Sequence, residues 1–385
     1  MKNRLLHFSL ILLTCLLVWT VGSLEASTLV PQTALPGACV PQWAMPMPVF
    51  GPAGPIPRVN AVTNPFLTVT MKEINQVVLP QTTFPCPDLG VGVTVTPGPT
   101  RVWAYETSNT LTGKVLGPAN WPAVTLNAKR FKATQVKYVN TLPTFNSLNP
   151  TGPGLVQGLI SVDQTVDVAD PLGTSAANGC TKIPGVPPLA AACLTPYVGP
   201  PPAVAHLHGG EVPSSADGGP LGWFTPNGLK GMGYRSFYNA GPGTQVNYYP
   251  NTQEPGTLWF HDHAMGMTRT NVYSGMAAFY FLRDPANEPQ HLPAGAQEIE
   301  MAIQDRQFDT TGQLYFPDGS GADAATSNLN GTPPNPLIHP LWIPEFIGDV
   351  VIVNGAPWPF LNVEPKRYRF RLLDGSNARA YNLKF

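Results

Sequence analysis

The sequence predicts an all-β protein built from more than one sandwich-like domain, on three observations. Short runs of alternating apolar and polar residues recur along the chain, each bounded by Pro, Gly or Asn. The 45 prolines and 37 glycines interrupt segments rich in Val, Tyr, Phe and Thr, which a disordered chain would lack. No segment shows a sustained helical period with caps. A length of 385 residues with 43% hydrophobic content provides for two or three domains with sizeable cores.

The elements follow in order. Lys2 and Arg4 precede an apolar run over 5–21, and Leu24-Glu25-Ala26 offers a small-residue cleavage site, so residues 1–26 read as a signal peptide. The run is short for a membrane span, and the mature chain is expected to be exported, to a periplasmic, cell-surface or extracellular site, with no stable span. Residues 27–60 are Pro-rich and irregular, an arm wrapped over a domain. A first domain is placed at 61–285, with strands at 66–71, 91–95, 101–105, 135–139, from Ala203, at 256–261 and at 276–282. A Pro-, Gly- and Ala-rich loop insertion interrupts it at about 163–202. Residues 286–297 are read as a linker. Strands at 298–303, 349–353 and 367–373 begin a second domain, at 298–385. The run 381–385 reads as a strand without a closing turn, which leaves that domain truncated.

Only 12% of residues are charged and the net charge is −1. No basic field is available for nucleic acid, and there is no acidic tail. Signal removal leaves Cys39, Cys86, Cys180 and Cys193, enough for two disulfides with three connectivities. Cys180 and Cys193 bracket a Pro-rich loop and form the natural local pair. None of the four has a His or Cys neighbour at metal-ligand spacing.

Four of the seven histidines fall in two pairs, His206-Leu207-His208 and His261-Asp262-His263. On a strand, residues i and i+2 share a face, roughly 6.5–7 Å apart. Two such pairs at strand ends, next to Gly209-Gly210 and Met265-Gly266-Met267, could converge on one metal cluster. Imidazole ligation suits copper, zinc, iron or nickel, with Cu(II) favoured by intrinsic affinity. Asp262 points to the opposite strand face from its neighbours, a place from which it could fix imidazole orientation. His7 lies in the signal peptide. His291 and His339 stand alone among prolines and read as surface residues. Trp223, Trp259, Met265 and Met267 read as core.

The words around the pairs carry a resemblance. His206-Leu-His-Gly-Gly210, the run Leu258-Trp-Phe-His-Asp-His-Ala-Met-Gly-Met-Thr-Arg269 and Asn271-Val-Tyr-Ser-Gly275 resemble the first two copper motifs of multicopper oxidases. The similarity is to the spore-coat laccase, bilirubin oxidase and phenoxazinone synthase branch. It continues through Ile303-Gln-Asp-Arg306, Val353-Asn-Gly355 and Val363-Glu-Pro-Lys-Arg-Tyr-Arg-Phe-Arg371, and covers the N-terminal portion of such an enzyme. The resemblance implies cupredoxin-like Greek-key β-sandwich domains, the first complete and the second truncated. It implies type 2 copper at His206 and a type 3 copper pair at His208, His261 and His263. It also implies oxidation of a one-electron donor, a phenol, pigment or metal ion, coupled to four-electron reduction of O2 to water. Asp217, eleven residues after His206, matches an acid that relays protons in relatives; a turn-forming Asp-Gly is the alternative.

The family's later motifs, a further His-x-x-His-x-His run and a His-Cys-His segment that completes the type 1 copper, are not in this sequence. The expectation is therefore the N-terminal fragment of a laccase-like oxidase, inactive alone and lacking its third cupredoxin domain. The alternatives are a non-catalytic exported copper-binding protein, or one half of a split oxidase completed by another chain.

Overall fold

The structure, a computed structural model, describes residues 29–51, 54–160, 162–164, 167–173, 196–316 and 346–384. The expected signal peptide, most of the loop insertion, His7, His339, Cys180 and Cys193 lie outside the described residues. The arm carries β1 (Ala34–Leu35) and β2 (Val59–Asn60). Next come β3 (Phe66–Gln76), β4 (Phe84–Pro85), β5 (Thr94–Val95), β6 (Thr100–Asn109), β7 (Val115–Asn120), β8 (Ala123–Lys129), β9 (Thr134–Asn140) and helix α1 (Leu155–Leu159). Then follow β10 (Ala205–His208), β11 (Thr244–Tyr249), β12 (Gly256–Asp262), helix α2 (Thr268–Tyr273) and β13 (Ala277–Arg283). Last are β14 (Glu298–Arg306), β15 (Phe308–Asp309), β16 (Val350–Val353), β17 (Ala356–Pro357) and β18 (Arg369–Asp374).

Alternating burial shapes the first sandwich. In β3, Leu67, Val69 and Met71 are buried between partly exposed neighbours, and β9 buries Thr134, Val136, Tyr138 and Asn140 in the same rhythm. One five-stranded sheet runs β11-β9-β3-β6-β7 and the other β10-β12-β13-β8-β2. Their inner faces meet in one core. Phe260 of β12 lies between the rings of Tyr105 and Tyr138, at 5.2 and 6.1 Å. Burial of each such side chain stabilises by about 1.5–3 kcal/mol. The Greek-key cupredoxin-like sandwich is thus present, but its sheets are mixed rather than antiparallel throughout. β3 pairs parallel with β9, and β8 with β13, because the chain crosses between sheets before returning beside them.

β13 has no polar face because both its faces are covered. Ala278, Tyr280 and Leu282 enter the sandwich core, while Phe279 and Phe281 pack the other way on Ala302 and Leu373. Those last two belong to a four-stranded sheet, β17-β16-β14-β18. Two sequence expectations shrink. Only Thr94–Val95 of the 91–95 run is a strand, because Gly90 and Gly92 turn the chain with positive φ and leave Val91 exposed. Residues 381–384 form no strand; Tyr381 instead folds back so that its hydroxyl meets that of Ser376 at 3.0 Å.

The seam between sandwich and second sheet is ionic. Arg283 reaches Glu298 with both terminal nitrogens, at 2.8 and 2.6 Å, and Arg371 adds Nε at 2.7 Å. Arg58 holds Glu300 in a similar fork, at 2.6 Å on each oxygen. The three guanidinium groups surround the Phe281 ring, 4.7–6.0 Å from its centre. Burial alone would raise the Glu298 carboxyl, but hydrogen bonds and charge from Arg283 and Arg371 outweigh it and take it down to about 2. A depressed carboxylate contributes stability that is complete above its unfolded value near 4.5 and is lost as pH falls towards 2. That difference amounts to about 3 kcal/mol. Denaturant titrations are expected to show this loss between pH 5 and 2, and its absence in Glu298→Gln; a parallel profile in the variant would refute the assignment.

The arm is laced over the second sheet. β1 pairs with β15, and Gln32 donates to Asp309 and to the Leu314 carbonyl. The Gly37 N–H meets the Asp349 carboxylate at 2.7 Å, and Asn354 donates to the Pro48 carbonyl. A disulfide joins Cys39 in the arm to Cys86 beside the β4–β5 hairpin.

Candidate metal centre

The register of two neighbouring strands assembles the histidines. β10 and β12 pair antiparallel with His206 opposite His261 and His208 opposite Trp259. The two-residue pleat turns both histidines of each pair to the same side. All four rings consequently form one group, with centres 4.8–5.8 Å apart for the five pairs in contact. Ring nitrogens of His206, His208 and His261 lie within 4.8 Å of one another. His263, just past the end of β12, stacks on His206 at 4.8 Å without joining that tightest trio.

Backbone carbonyls set the tautomers. Nδ1 of His206 lies 2.6 Å from the Asp217 carbonyl, that of His261 2.6 Å from the Asp262 carbonyl, and that of His263 3.2 Å from the Gly218 carbonyl. A carbonyl can only accept, so these three Nδ1 atoms carry hydrogen and each Nε2 keeps its lone pair. His208 turns its Nδ1 instead to the Nε2 of His261, 3.1 Å away. Burial lowers the basicity of His208, His261 and His263, and takes His261 down to about 3. Those three rings are therefore neutral at pH 7, the state that ligation requires. This donor set, all imidazole with ring nitrogens of three residues within 4.8 Å of one another and His208 exposed, fits a borderline cation such as copper.

Gly218 makes the arrangement compatible with the chain. Its φ is +72°, and a Cβ there would collide with the Ala205 carbonyl and the His206 backbone. Only glycine lets the loop lie against β10 closely enough for the carbonyls of Asp217 and Gly218 to reach the rings. The Asp217 side chain sits at the rim, 46% exposed, with an oxygen 3.4 Å from His206 Nδ1.

Asp262 points the other way, as its strand position requires, and is fully buried. It accepts from the N–H groups of Val204 and Ala264 and from Asn271 Nδ2, at 2.9–3.0 Å. Burial pushes its carboxyl up to about 7, against donors that favour the ionised form. Met267 and Trp223 pack together in a small buried cluster, as the sequence suggested. Trp259 does not sit in the core. It is half-buried, with its ring 4.2 Å from His261 and 5.2 Å from His208. His291 is exposed. In the sequence Asn271 is only one letter of the Asn271–Gly275 motif, and the carbonyl supports leave no signal there because they depend on Gly218 and on strand register.

No family model matches the chain. It is similar to the laccase of Bacillus stratosphericus, with 34% identity over 288 residues, 74% of this chain and 43% of that protein. Laccase of Bacillus subtilis gives 33% over 287 residues, again 74% and 43%. Multicopper oxidase LPR1 of Arabidopsis thaliana is 42% identical over 193 residues, 50% of this chain and 30% of that protein. The chain thus spans less than half the length of these curated relatives. Among solved structures, a variant of the McoA multicopper oxidase of Aquifex aeolicus aligns with a TM-score of 0.48 and 20% identity, covering 88% of this chain and 47% of that one.

Proposed function

We propose, for a chain homologous over 74% of its length to laccases and so placed among the multicopper oxidases, that the four clustered histidines hold copper for the reduction of O2. The observation that carries this reading is the convergence of His206, His208 and His261 within 4.8 Å. His206 is assigned to type 2 copper, and His208, His261 and His263 to a type 3 pair. Bound copper would supply the redox chemistry that takes O2 to water with four electrons drawn singly from a donor. That donor is a phenol, a pigment or a metal ion.

The residues of this chain have separate tasks. The carbonyls of Asp217, Asp262 and Gly218 fix three ring orientations and leave the Nε2 lone pair of each ring free of its own supporting carbonyl. Asp217, half-exposed beside His206, is placed to pass protons from solvent to the site. A type 1 copper, the further centre that the resemblance implies, would supply the electrons. Export is supported by the Cys39–Cys86 disulfide, which persists in oxidising compartments. Among the described residues no helix is long and apolar enough to cross a membrane.

Calorimetric titration with Cu(II) tests the site. Replacement of His206, His208 or His261 by Ala is expected to weaken binding by about 100-fold or more, exceeding the usual effect of supporting residues. Unchanged affinity in all three variants would remove the assignment. Oxygen uptake with a phenolic donor, followed with an electrode on the full-length oxidase, tests the reaction; copper binding without uptake would leave a copper-holding protein.

A further inference from the structure

We infer that Asn271 is a positioning residue that sets the geometry of the His261-Asp262-His263 segment; the inference rests on the copper reading of those histidines. Asn271 lies on α2, is 3% exposed, and directs its side-chain hydrogen bonds to groups other than the four rings. Its Nδ2 donates to Asp262 Oδ1 at 2.9 Å and to the Pro202 carbonyl at 3.1 Å. Asp262 then takes the N–H groups of Val204 and Ala264, while the His263 N–H bonds to the Val204 carbonyl at 2.9 Å. One amide therefore joins the chain entering β10, the centre of the second histidine pair, and α2. The spacing of His206 from His261 and His263 depends on that junction.

The residue type follows from its partners. Both are acceptors, a carboxylate and a carbonyl, so the position needs two hydrogens on one short, buried group. Leucine offers none, and aspartate would set a second carboxylate against Asp262. The helix that carries Asn271 is itself fixed from the second sheet. Arg306 Nη2 donates to the Val272 carbonyl at 3.1 Å, with its guanidinium 4.8 Å from the Trp121 ring centre and 4.6 Å from that of Tyr273. The Tyr273 hydroxyl lies within hydrogen-bond distance of the carbonyls of Gln307 and Tyr315, at 3.1 and 2.6 Å. Asn271 thus refers the histidines to a frame outside their own sheet.

The test uses the full chain, Cu(II) titration by calorimetry, and electron paramagnetic resonance of the copper-bound form. Asn271→Leu keeps the volume and removes the donors; Asn271→Asp keeps the shape and carries the test if the leucine variant does not fold. Each folded variant is expected to bind Cu(II) about 10- to 100-fold more weakly and to show an altered copper hyperfine splitting. Wild-type affinity and spectrum in a folded variant would overturn the inference, as would lowered melting temperature with an unchanged spectrum. Cu(II) affinity of the histidine variants separates the two levels: a wild-type value in His206→Ala, His208→Ala and His261→Ala alike overturns the copper reading, and this inference with it. Cu(II) affinity lowered in His261→Ala but at the wild-type value, with the wild-type spectrum, in both Asn271 variants overturns the positioning role alone.

Discussion

Replacing Glu298 with Gln is expected to destabilise the protein by about 3–5 kcal/mol, the range for removing one partner of a buried ion pair. Glu298 is 5% exposed and lies among Arg283, Arg371, Arg369 and Arg58. Glutamine keeps the shape but leaves those cations, three of them around Phe281, with only Glu300 and the more peripheral Glu288 nearby. Most of the loss therefore comes from uncompensated charge rather than from the missing hydrogen bonds. The denaturant midpoint should fall with little change in slope, since the same surface is exposed on unfolding. A loss below about 1 kcal/mol, the ordinary worth of an exposed pair, would show that the seam is solvated. Replacing the whole group by apolar residues of similar volume is a different experiment, and its effect can be close to neutral.

Breaking the Cys39–Cys86 disulfide is expected to lower stability by about 4 kcal/mol, the loop-entropy figure for a closure of this size. The two cysteines are 47 positions apart and both are buried, Cys86 completely. The link confines an arm that has little regular structure of its own, so the unfolded ensemble gains most when it is cut. Comparing denaturant unfolding of the oxidised chain with Cys39→Ser/Cys86→Ser measures the difference. Equal midpoints would mean that the arm is held by its lacing alone.

Strands with one wet face were legible by alternation, and β13 and β14, buried on both faces, as apolar runs bounded by turns. β3 and β9 alternate because one side meets the core and the other the solvent. β8 was missed because four consecutive residues, Ala123 to Thr125 and Leu126, are buried and erase the alternation. β11 was hidden by Gln245 and Asn247, polar residues that are nonetheless buried. β7 was obscured by Gly117 and Pro118. At the site, spacing alone made each histidine pair legible. That the pairs face each other needs the β10–β12 register, which the sequence does not display. The Cys39–Cys86 link was equally illegible, because it joins segments without local proximity, whereas spacing drew attention to Cys180 and Cys193.

The laced arm also imposes an order of events. Gln32 finds Asp309 277 positions downstream, and Gly37 finds Asp349 after 312. The first of these contacts must wait until the chain has emerged past Asp309 and the second until Asp349, so the first part made is among the last to settle. Closing contacts across such separations is slow, since the loop entropy is spent before the contacts return anything. The thiols of Cys39 and Cys86 meet much earlier in the growing chain. Their bond would moor the waiting arm to the hairpin and shorten its later search for the second sheet.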